Sequence, residues 1–263
     1  MDLDNLRTWV AFQDGTAKEN NVDIIMIEQE DVKAFFINSI ISHHKTMDDS
    51  KPSFNTECAV GIQFINLGTI ENYMADYLYN EYWCKPFFGT DLSLVPKDTQ
   101  ALLWKEKDGD FHFLLPVCSE QYKCVLEGNE EGLYAKMYSW YPGLKECKGL
   151  AFLYTEGSNP FDMIQNCVRV GMKMLDHGCR TREERSYPEV FEYLGWCTWD
   201  ALQIRVNTQD ILKKCEEFHQ KEIPVRWLII DDMWADVRGL NEIEETLPFN
   251  EMVKAMHGST LYE

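Results

Sequence analysis

Short apolar stretches separated by turn residues make up the first 156 residues of the chain. They are rich in β-branched and aromatic residues and show no helical period, which is typical of strands. Many short strands of this kind favour an antiparallel arrangement in two packed layers. We therefore predict an antiparallel β-sandwich domain over residues 1–156. The apolar stretches are 22–27, 34–41, 58–65, 73–83, 101–104, 122–126, 133–138 and 150–154.

Two hairpins are predicted within this region. Residues 101–104 and 111–115 flank Asp108-Gly109, a dipeptide that supplies the positive φ angles of a tight turn. A second hairpin is predicted to turn at Glu127-Gly128-Asn129, because glycine and asparagine both tolerate positive φ. Both hairpins agree with an antiparallel sheet.

After residue 156 the apolar residues follow the spacing of a helix. Ser158 or Asn159 can cap its N-terminus, and Pro160 suits a first turn, where no amide hydrogen is required. Gly178 is placed to end the helix. We predict a connecting helix and linker over residues 157–190. The predicted apolar face consists of Phe161, Ile164, Val168, Met172 and Leu175.

A strand–helix–strand pattern follows the linker. Residues 193–199 form a short apolar stretch, Asn207 can cap a helix, and residues 227–230 are continuously apolar. Continuous apolar runs are typical of strands that are buried on both faces of a parallel sheet. Asp231 and Asp232 directly follow the second run, and α/β barrels place their active sites at such strand ends.

The segment from Gly195 to Asp200 is the first candidate for ligand binding. Trp196 and Trp199 lie three residues apart near a carboxylate, and indole rings both stack on the C–H faces of sugars and donate hydrogen bonds. The alternative is that both indoles fill the core. Cys197 has no neighbouring histidine, so we interpret it as a buried thiol rather than a nucleophile.

Asp231 and Asp232 are the second candidate. Two adjacent ionised carboxylates repel each other, and burying them is costly unless they bind a cation, an arginine or a set of hydroxyls. Successive strand residues point to opposite faces, so the pair is poorly suited to flank a scissile glycosidic bond. Binding of two sugar hydroxyls, capping of the following loop, and pairing with Arg226 or Arg238 stay open as interpretations.

Composition and charge argue against some classes of binding partner. The formal net charge is −19, which repels phosphate backbones and anionic lipid headgroups, so we expect neither nucleic-acid nor membrane binding. The nine cysteines form no CxxC pair and are odd in number, which is typical of reduced thiols. The N-terminus shows no signal-peptide pattern, and we predict a cytoplasmic protein.

Cofactor motifs are absent from the sequence. It contains no P-loop, no GxGxxG and no GxSxG pattern. His43-His44 lacks companion ligands, and we interpret it as a surface turn. We therefore expect no cofactor and no metal ion.

The two strand-end motifs resemble those of glycoside hydrolase family 36, in particular the group of raffinose synthases, seed imbibition proteins and alkaline α-galactosidases. The motifs are Gly-Trp-Cys-Thr-Trp-Asp-Ala at 195–201 and Trp-Leu-Ile-Ile-Asp-Asp-Met-Trp at 227–234. The resemblance covers roughly residues 75–235. Three further segments that resemble this group are 85–91, 95–100 and 126–129.

This resemblance implies a multidomain protein of the β plus α/β class. An N-terminal antiparallel β-sandwich would precede the first two βα units of an incomplete (β/α)₈ barrel over residues 191–263. The family acts on α-galactosides, such as raffinose-type oligosaccharides, with retention of configuration. By position, Trp199 would line the galactose pocket, and Asp231 and Asp232 would bind its hydroxyls. The nucleophile and the acid/base are implied to lie beyond residue 263.

The same resemblance leads us to expect that this chain alone is inactive. Hydrolysis of an α-galactoside and galactosyl transfer to another sugar both remain open. The competing interpretation is a non-catalytic module that binds carbohydrate or a partner, and self-association into a homo-oligomer is also left open.

Overall fold

A computed structural model of the chain divides into two compact units, residues 1–184 and 185–263. His43, His44 and Asp232 lie outside the described residues, and the predicted boundaries at 156 and 190 stay predictions. The structure describes residues 1–11, 17–19, 22–41, 58–80, 83–107, 109–139, 141, 144–176 and 178–231.

The first unit contains an antiparallel sheet that has thirteen strands in the described part of the chain. The strands are β1 (Leu6–Ala11), β2 (Ala17–Glu19), β3 (Val22–Gln29), β4 (Val32–Ile40), β5 (Cys58–Phe64), β6 (Ile70–Leu78), β7 (Cys84–Gly89), β8 (Thr99–Glu106), β9 (Phe111–Pro116), β10 (Cys118–Ser119), β11 (Tyr122–Asn129), β12 (Gly132–Tyr138) and β13 (Glu146–Gly157). Their order is β2-β1-β5-β12-β11-β8-β9-β13-β4-β3, with β6 on β8, β7 on β6 and β10 on β11.

This sheet folds over on itself around one main core. Phe152 of β13 stacks on Phe35 of β4 at a ring-centroid distance of 4.7 Å. The same ring meets Phe64 of β5 edge-on at 5.3 Å, although β5 and β13 are far apart in the strand order. The predicted antiparallel β structure is therefore confirmed, in the form of one folded sheet with a core between its two layers.

The first predicted hairpin is confirmed, because β8 and β9 pair with Trp104 opposite His112. The second turn was placed wrongly by about two residues. Residues 127–129 belong to β11, and Asn129 pairs with Gly132 across a turn at 130–131. Gly128 instead allows the backbone at Leu92 to approach closely, since a methyl group at position 128 would overlap the carbonyl oxygen of Leu92.

Helix α1 (Pro160–Leu175) packs on β4, β9 and β13 of this sheet. As predicted, Asn159 caps it, with its side-chain oxygen accepting a hydrogen bond from the Phe161 amide at 3.1 Å. The predicted apolar face was partly wrong: Ile164 and Leu175 pack against the core, but Phe161 is 77% exposed and Val168 is also exposed. The helix ends at Leu175, before Gly178, because Asp176 takes the left-handed conformation. The residues that are buried are Met163, Cys167, Val170 and Gly171.

The second unit contains strand β14 (Leu194–Cys197), helix α2 (Trp199–Leu202), helix α3 (Thr208–Gln220) and strand β15 (Val225–Ile229). The two strands pair in parallel, with Cys197 opposite Ile229. Asn207 caps α3 as predicted, through a 2.9 Å hydrogen bond from the Asp210 amide. The predicted burial of both faces of β15 was wrong, since Leu228, Ile229 and Ile230 are 39–50% exposed. Among the helices that the structure describes, none is long and apolar enough to span a membrane.

Candidate functional site

The candidate site lies at the carboxyl edge of the β14–β15 pair. Cys197 ends β14 opposite Ile229, which ends β15, so both strands stop at the same level. Trp199 then starts α2, and Asp231 follows two residues after β15. Two of the three residues predicted to bind a ligand are thus brought to one edge of the sheet. The third, Asp232, lies outside the described residues.

Thr198 fixes the backbone at this edge. It is fully buried, and its amide donates to the Ile229 carbonyl at 3.1 Å. Its hydroxyl oxygen accepts a 3.0 Å hydrogen bond from the Asp231 amide, and its carbonyl accepts one from the Leu202 amide at 2.8 Å. One threonine therefore joins the end of β14, the start of α2 and the backbone of Asp231.

Cys197 holds the side chain of Asp231. Its thiol donates to the Asp231 carboxylate, with Sγ and Oδ2 3.0 Å apart. The Trp199 amide lowers the pKa of the thiol, but the hydrogen bond and charge of Asp231, together with burial and the charge of Asp200, outweigh this and raise it above its usual value. The thiol is only partly buried, so the interpretation of Cys197 as a buried thiol is confirmed only in part.

The two tryptophans of the 195–201 motif have different surroundings. Trp196 packs edge-on against Phe218 of α3, with ring centroids 5.3 Å apart, so it joins the helix to the sheet. Trp199 is 38% exposed. Of the two interpretations left open by the sequence, packing between elements therefore describes Trp196, which is half-buried against α3, while Trp199 is partly exposed at the strand edge.

Gly195 is required by a third tryptophan. It pairs with Trp227 on β15, and a methyl group at Gly195 would overlap that indole ring. The ring is held there by a 3.1 Å hydrogen bond from its Nε1 to the Tyr193 carbonyl. Phe191 meets the same ring edge-on at 6.4 Å. The glycine of one motif and the first tryptophan of the other are thus a single packing unit.

This arrangement suits a neutral ligand that carries both hydroxyls and apolar C–H surface. An oriented carboxylate accepts hydrogen bonds from hydroxyls, and an indole face packs against C–H groups. Within the described ranges, no group of three histidine, cysteine, aspartate or glutamate side chains could hold a metal ion. Among the described residues, the carboxylate of Asp231 and the indole of Trp199 are candidate groups for recognising a ligand at this edge.

Sequence reasoning missed the contributions of Cys197 and Thr198. Both act through residues more than thirty positions away, at Ile229 and Asp231. The register of a parallel strand pair decides such contacts, and it was not predicted from the sequence. The sequence did contain a signal for these contacts: Cys197 and Thr198 are small polar residues at the end of a strand, and such residues can reach the end of the neighbouring strand.

Comparison with known proteins identifies relatives of this chain. A family model described as "Raffinose synthase or seed imbibition protein Sip1" matches residues 48–257. A protein of Arabidopsis thaliana named probable galactinol–sucrose galactosyltransferase 1 is 27% identical over 191 residues, which are 67% of this chain and 25% of that protein. Stachyose synthase of Pisum sativum is 23% identical over 173 residues, which are 64% of this chain and 20% of that enzyme.

A solved structure is also similar to the chain. It is the α-galactosidase of Thermus thermophilus in complex with p-nitrophenyl α-D-galactopyranoside, with a TM-score of 0.40 and 10% identity. The alignment covers 82% of this chain and 42% of that one. This chain spans about a quarter of the length of the curated relatives that it matches.

Proposed function

This chain belongs to the family of raffinose synthases and seed imbibition proteins, and we propose that its second unit binds the terminal galactosyl group of an α-galactoside. Trp199 packs on the C–H face of the sugar, and Asp231 and Asp232 accept hydrogen bonds from its hydroxyls. In the protein as a whole, the bound galactosyl group is transferred to an acceptor. We prefer transfer to a sugar over transfer to water, because several of the curated relatives are named as galactosyltransferases.

One observation carries this proposal: the Asp231 carboxylate is held by the Cys197 thiol and its amide by the Thr198 hydroxyl, next to Trp199. A carboxylate oriented in advance loses little freedom when a ligand binds, so its hydrogen bonds contribute more to affinity. The position after a parallel strand also supports the proposal, because this is where α/β barrels place their ligands. We include β14 and β15 in the proposal as the first two strands of such a barrel.

We further propose that this edge binds the sugar without breaking its glycosidic bond. A retaining pair of carboxyl groups must flank the bond at about 5–5.5 Å, and two carboxylates that are adjacent in the sequence are poorly suited to that arrangement. We therefore assign Asp231 and Asp232 to binding, and the nucleophile and acid/base to other parts of the whole protein. This chain alone is proposed to be inactive.

Sugar binding is tested by titrating the 263-residue chain with methyl α-D-galactoside and following ligand signals by saturation-transfer NMR. Trp199→Ala and Asp231→Ala should each weaken binding roughly tenfold, since each removes a main contact. Trp83→Ala is the matched control, because Trp83 is an exposed tryptophan of the first unit. Methyl α-D-glucoside, which differs at one hydroxyl, should bind more weakly. Equal binding of the two sugars, or equal affinity of the wild type and Asp231→Ala, would contradict the proposal.

Inactivity is tested by incubating the chain with p-nitrophenyl α-D-galactoside. We expect no release of nitrophenol above a heat-denatured sample. Turnover that is lost in Asp231→Asn would show that this carboxylate takes part in bond cleavage. It would overturn the proposal that Asp231 only binds the sugar.

A second candidate function is a non-catalytic interaction module. It is favoured by the exposed apolar side chains of Leu228, Ile229 and Ile230, since contiguous apolar surface often marks a protein interface. Analytical ultracentrifugation over a range of concentrations distinguishes the two candidates. Self-association that Ile229→Ser abolishes, together with no galactoside binding, would favour the interaction module.

A further inference from the structure

We infer that Cys197 is a positioning residue for galactoside recognition, because its thiol orients the Asp231 carboxylate for the sugar. The inference rests on the function proposed above. Cys197 was not among the residues expected to bind the sugar, and we assign to it the orientation of the Asp231 carboxylate. Cys197 touches Asp231 and acts through it. It is neither a nucleophile nor a metal ligand in this assignment.

The first line of support is geometry. The thiol ends β14 directly opposite Ile229, and Asp231 is the second residue beyond Ile229 on the adjacent strand. The Sγ–Oδ2 distance of 3.0 Å is that of a hydrogen bond, in which the thiol donates and the carboxylate oxygen accepts. Since the backbone of Asp231 is already fixed by Thr198, the thiol hydrogen bond helps to set the direction of the carboxylate.

The second line of support is chemical. A cysteine thiol can donate here only while it is protonated, and among the described residues the charged groups that face it are Asp231, after β15, and Asp200 in α2. Loss of the thiol proton would place a thiolate against the carboxylate, so the two anions would repel each other. Galactoside binding in the wild type should therefore weaken at alkaline pH. A serine at this position donates in the same direction and does not titrate in that range, so Cys197→Ser should lack this alkaline decline.

The binding test uses the full chain and methyl α-D-galactoside. Cys197→Ala should weaken binding about five- to tenfold, as expected for loss of a hydrogen bond to a charged group, whereas Cys197→Ser should stay within about threefold of the wild type. Cys215→Ala is the matched control, because Cys215 is an exposed cysteine of α3 in the same unit. Rescue by serine separates positioning from simple filling of space. Equal affinity of Cys197→Ala and the wild type would overturn the inference.

A second measurement detects the thiol–carboxylate contact without any sugar. The rate at which iodoacetamide alkylates Cys197 at pH 8 is followed by peptide mass spectrometry. Asp231→Asn removes the charge that holds the thiol proton, so alkylation of Cys197 should become at least about twofold faster while that of Cys215 is unchanged. An unchanged rate at Cys197 would overturn the inference.

The two measurements separate the two proposals. If the wild type binds no galactoside, the proposed function fails and the inference about recognition fails with it. If the wild type binds, Cys197→Ala binds equally well and the alkylation rate does not respond to Asp231→Asn, only the inference fails.

Discussion

Strands β13 and β15 carry similar apolar runs but lie in different surroundings. Leu150, Phe152 and Leu153 of β13 are at most 2% exposed. Leu228 and Ile229 of β15 are 39% and 50% exposed. An apolar run therefore predicts a strand, but it does not by itself predict what will bury that strand.

The difference follows from the number of neighbours that each strand has. Strand β13 lies between β9 and β4, α1 covers one of its faces, and the opposite layer of the folded sheet covers the other. Strand β15 pairs with β14, and α3 has no buried residue. Burial in the first unit comes from layers that close over one another, and the described part of the second unit provides one strand pair and one long helix.

Replacing one leucine in each strand should reveal the difference in burial between β13 and β15 most clearly. Leu153→Ala removes a side chain that is 1% exposed and packs on Gly171 of α1, so it should lower the free energy of unfolding by about 2–5 kcal/mol. Leu228→Ala in β15 should cost less than about 1 kcal/mol, because water already reaches much of the side chain. Urea unfolding, followed by circular dichroism, measures both.

Hydrogen exchange of the wild-type protein tests the same difference without the two leucine substitutions. Amides of β13 should be strongly protected and those of β15 weakly protected, since protection follows burial and contact density. Strong protection throughout β15 in a monomer, or a large cost for Leu228→Ala, would mean that the second unit buries its strand in solution.

Much of the fold could be predicted from local patterns. The apolar, β-branched runs predicted eight stretches that overlap strands of the first unit, and the caps at Asn159 and Asn207 marked the starts of two helices. The predictions failed where tertiary contacts decide the outcome. Gly128 was assigned to a turn although its lack of a side chain is needed beside Leu92, and α1 buries Met163 and Val170 instead of Phe161.

The candidate site could be predicted only in part for the same reason. The sequence placed Trp199 and Asp231 at strand ends, because an apolar run followed by a polar residue is a local signal. It could not place Trp196 against Phe218 of α3 or join Cys197 to Asp231, because the first contact depends on helix packing and the second on register between strands. The role of each residue in sugar binding stays a prediction.

Gly195 is a tightly packed position of the second unit, and replacing it should have the next largest effect. Gly195→Ala should destabilise this unit by about 1–3 kcal/mol, since the added methyl group overlaps the Trp227 ring and the backbone has to move. The hydrogen bond from Trp227 to the Tyr193 carbonyl should be lost as well. Tryptophan fluorescence and the unfolding transition of the second unit report this change.

A double substitution separates overlap from other effects of the alanine. In a Trp227→Leu background the ring is absent, so Gly195→Ala should cost much less than it does in the wild type. An equal cost in both backgrounds would show that Gly195 is needed for its backbone conformation rather than for the space that it leaves to Trp227.

The smallest effect is expected for the ion pairs of helix α1 in the first unit and helix α3 in the second. In the first unit, the Arg169 side chain of α1 donates to Glu30 in the β3–β4 turn, and Lys173 lies 3.4 Å from the same carboxylate. The hydrogen bond from Arg169 lowers the pKa of Glu30 from 4.5 to about 2. In the second unit, Lys214 donates to Glu217 three residues along the same helix, so that pair joins no two elements.

Because the pKa of Glu30 is lower in the folded chain, its ion pairs stabilise the protein above about pH 4.5, and this stabilisation is lost as the pH falls towards 2. Glu30→Gln should therefore lower the melting temperature slightly at pH 7 and speed hydrogen exchange in α1, and the difference from the wild type should vanish near pH 2. Glu217→Gln is the matched control and should leave the exchange of β14 and β15 unchanged. A difference for Glu30→Gln that persists undiminished near pH 2 would show that the ion pairs do not hold α1 on the sheet, and that its apolar contacts alone distinguish it from α3.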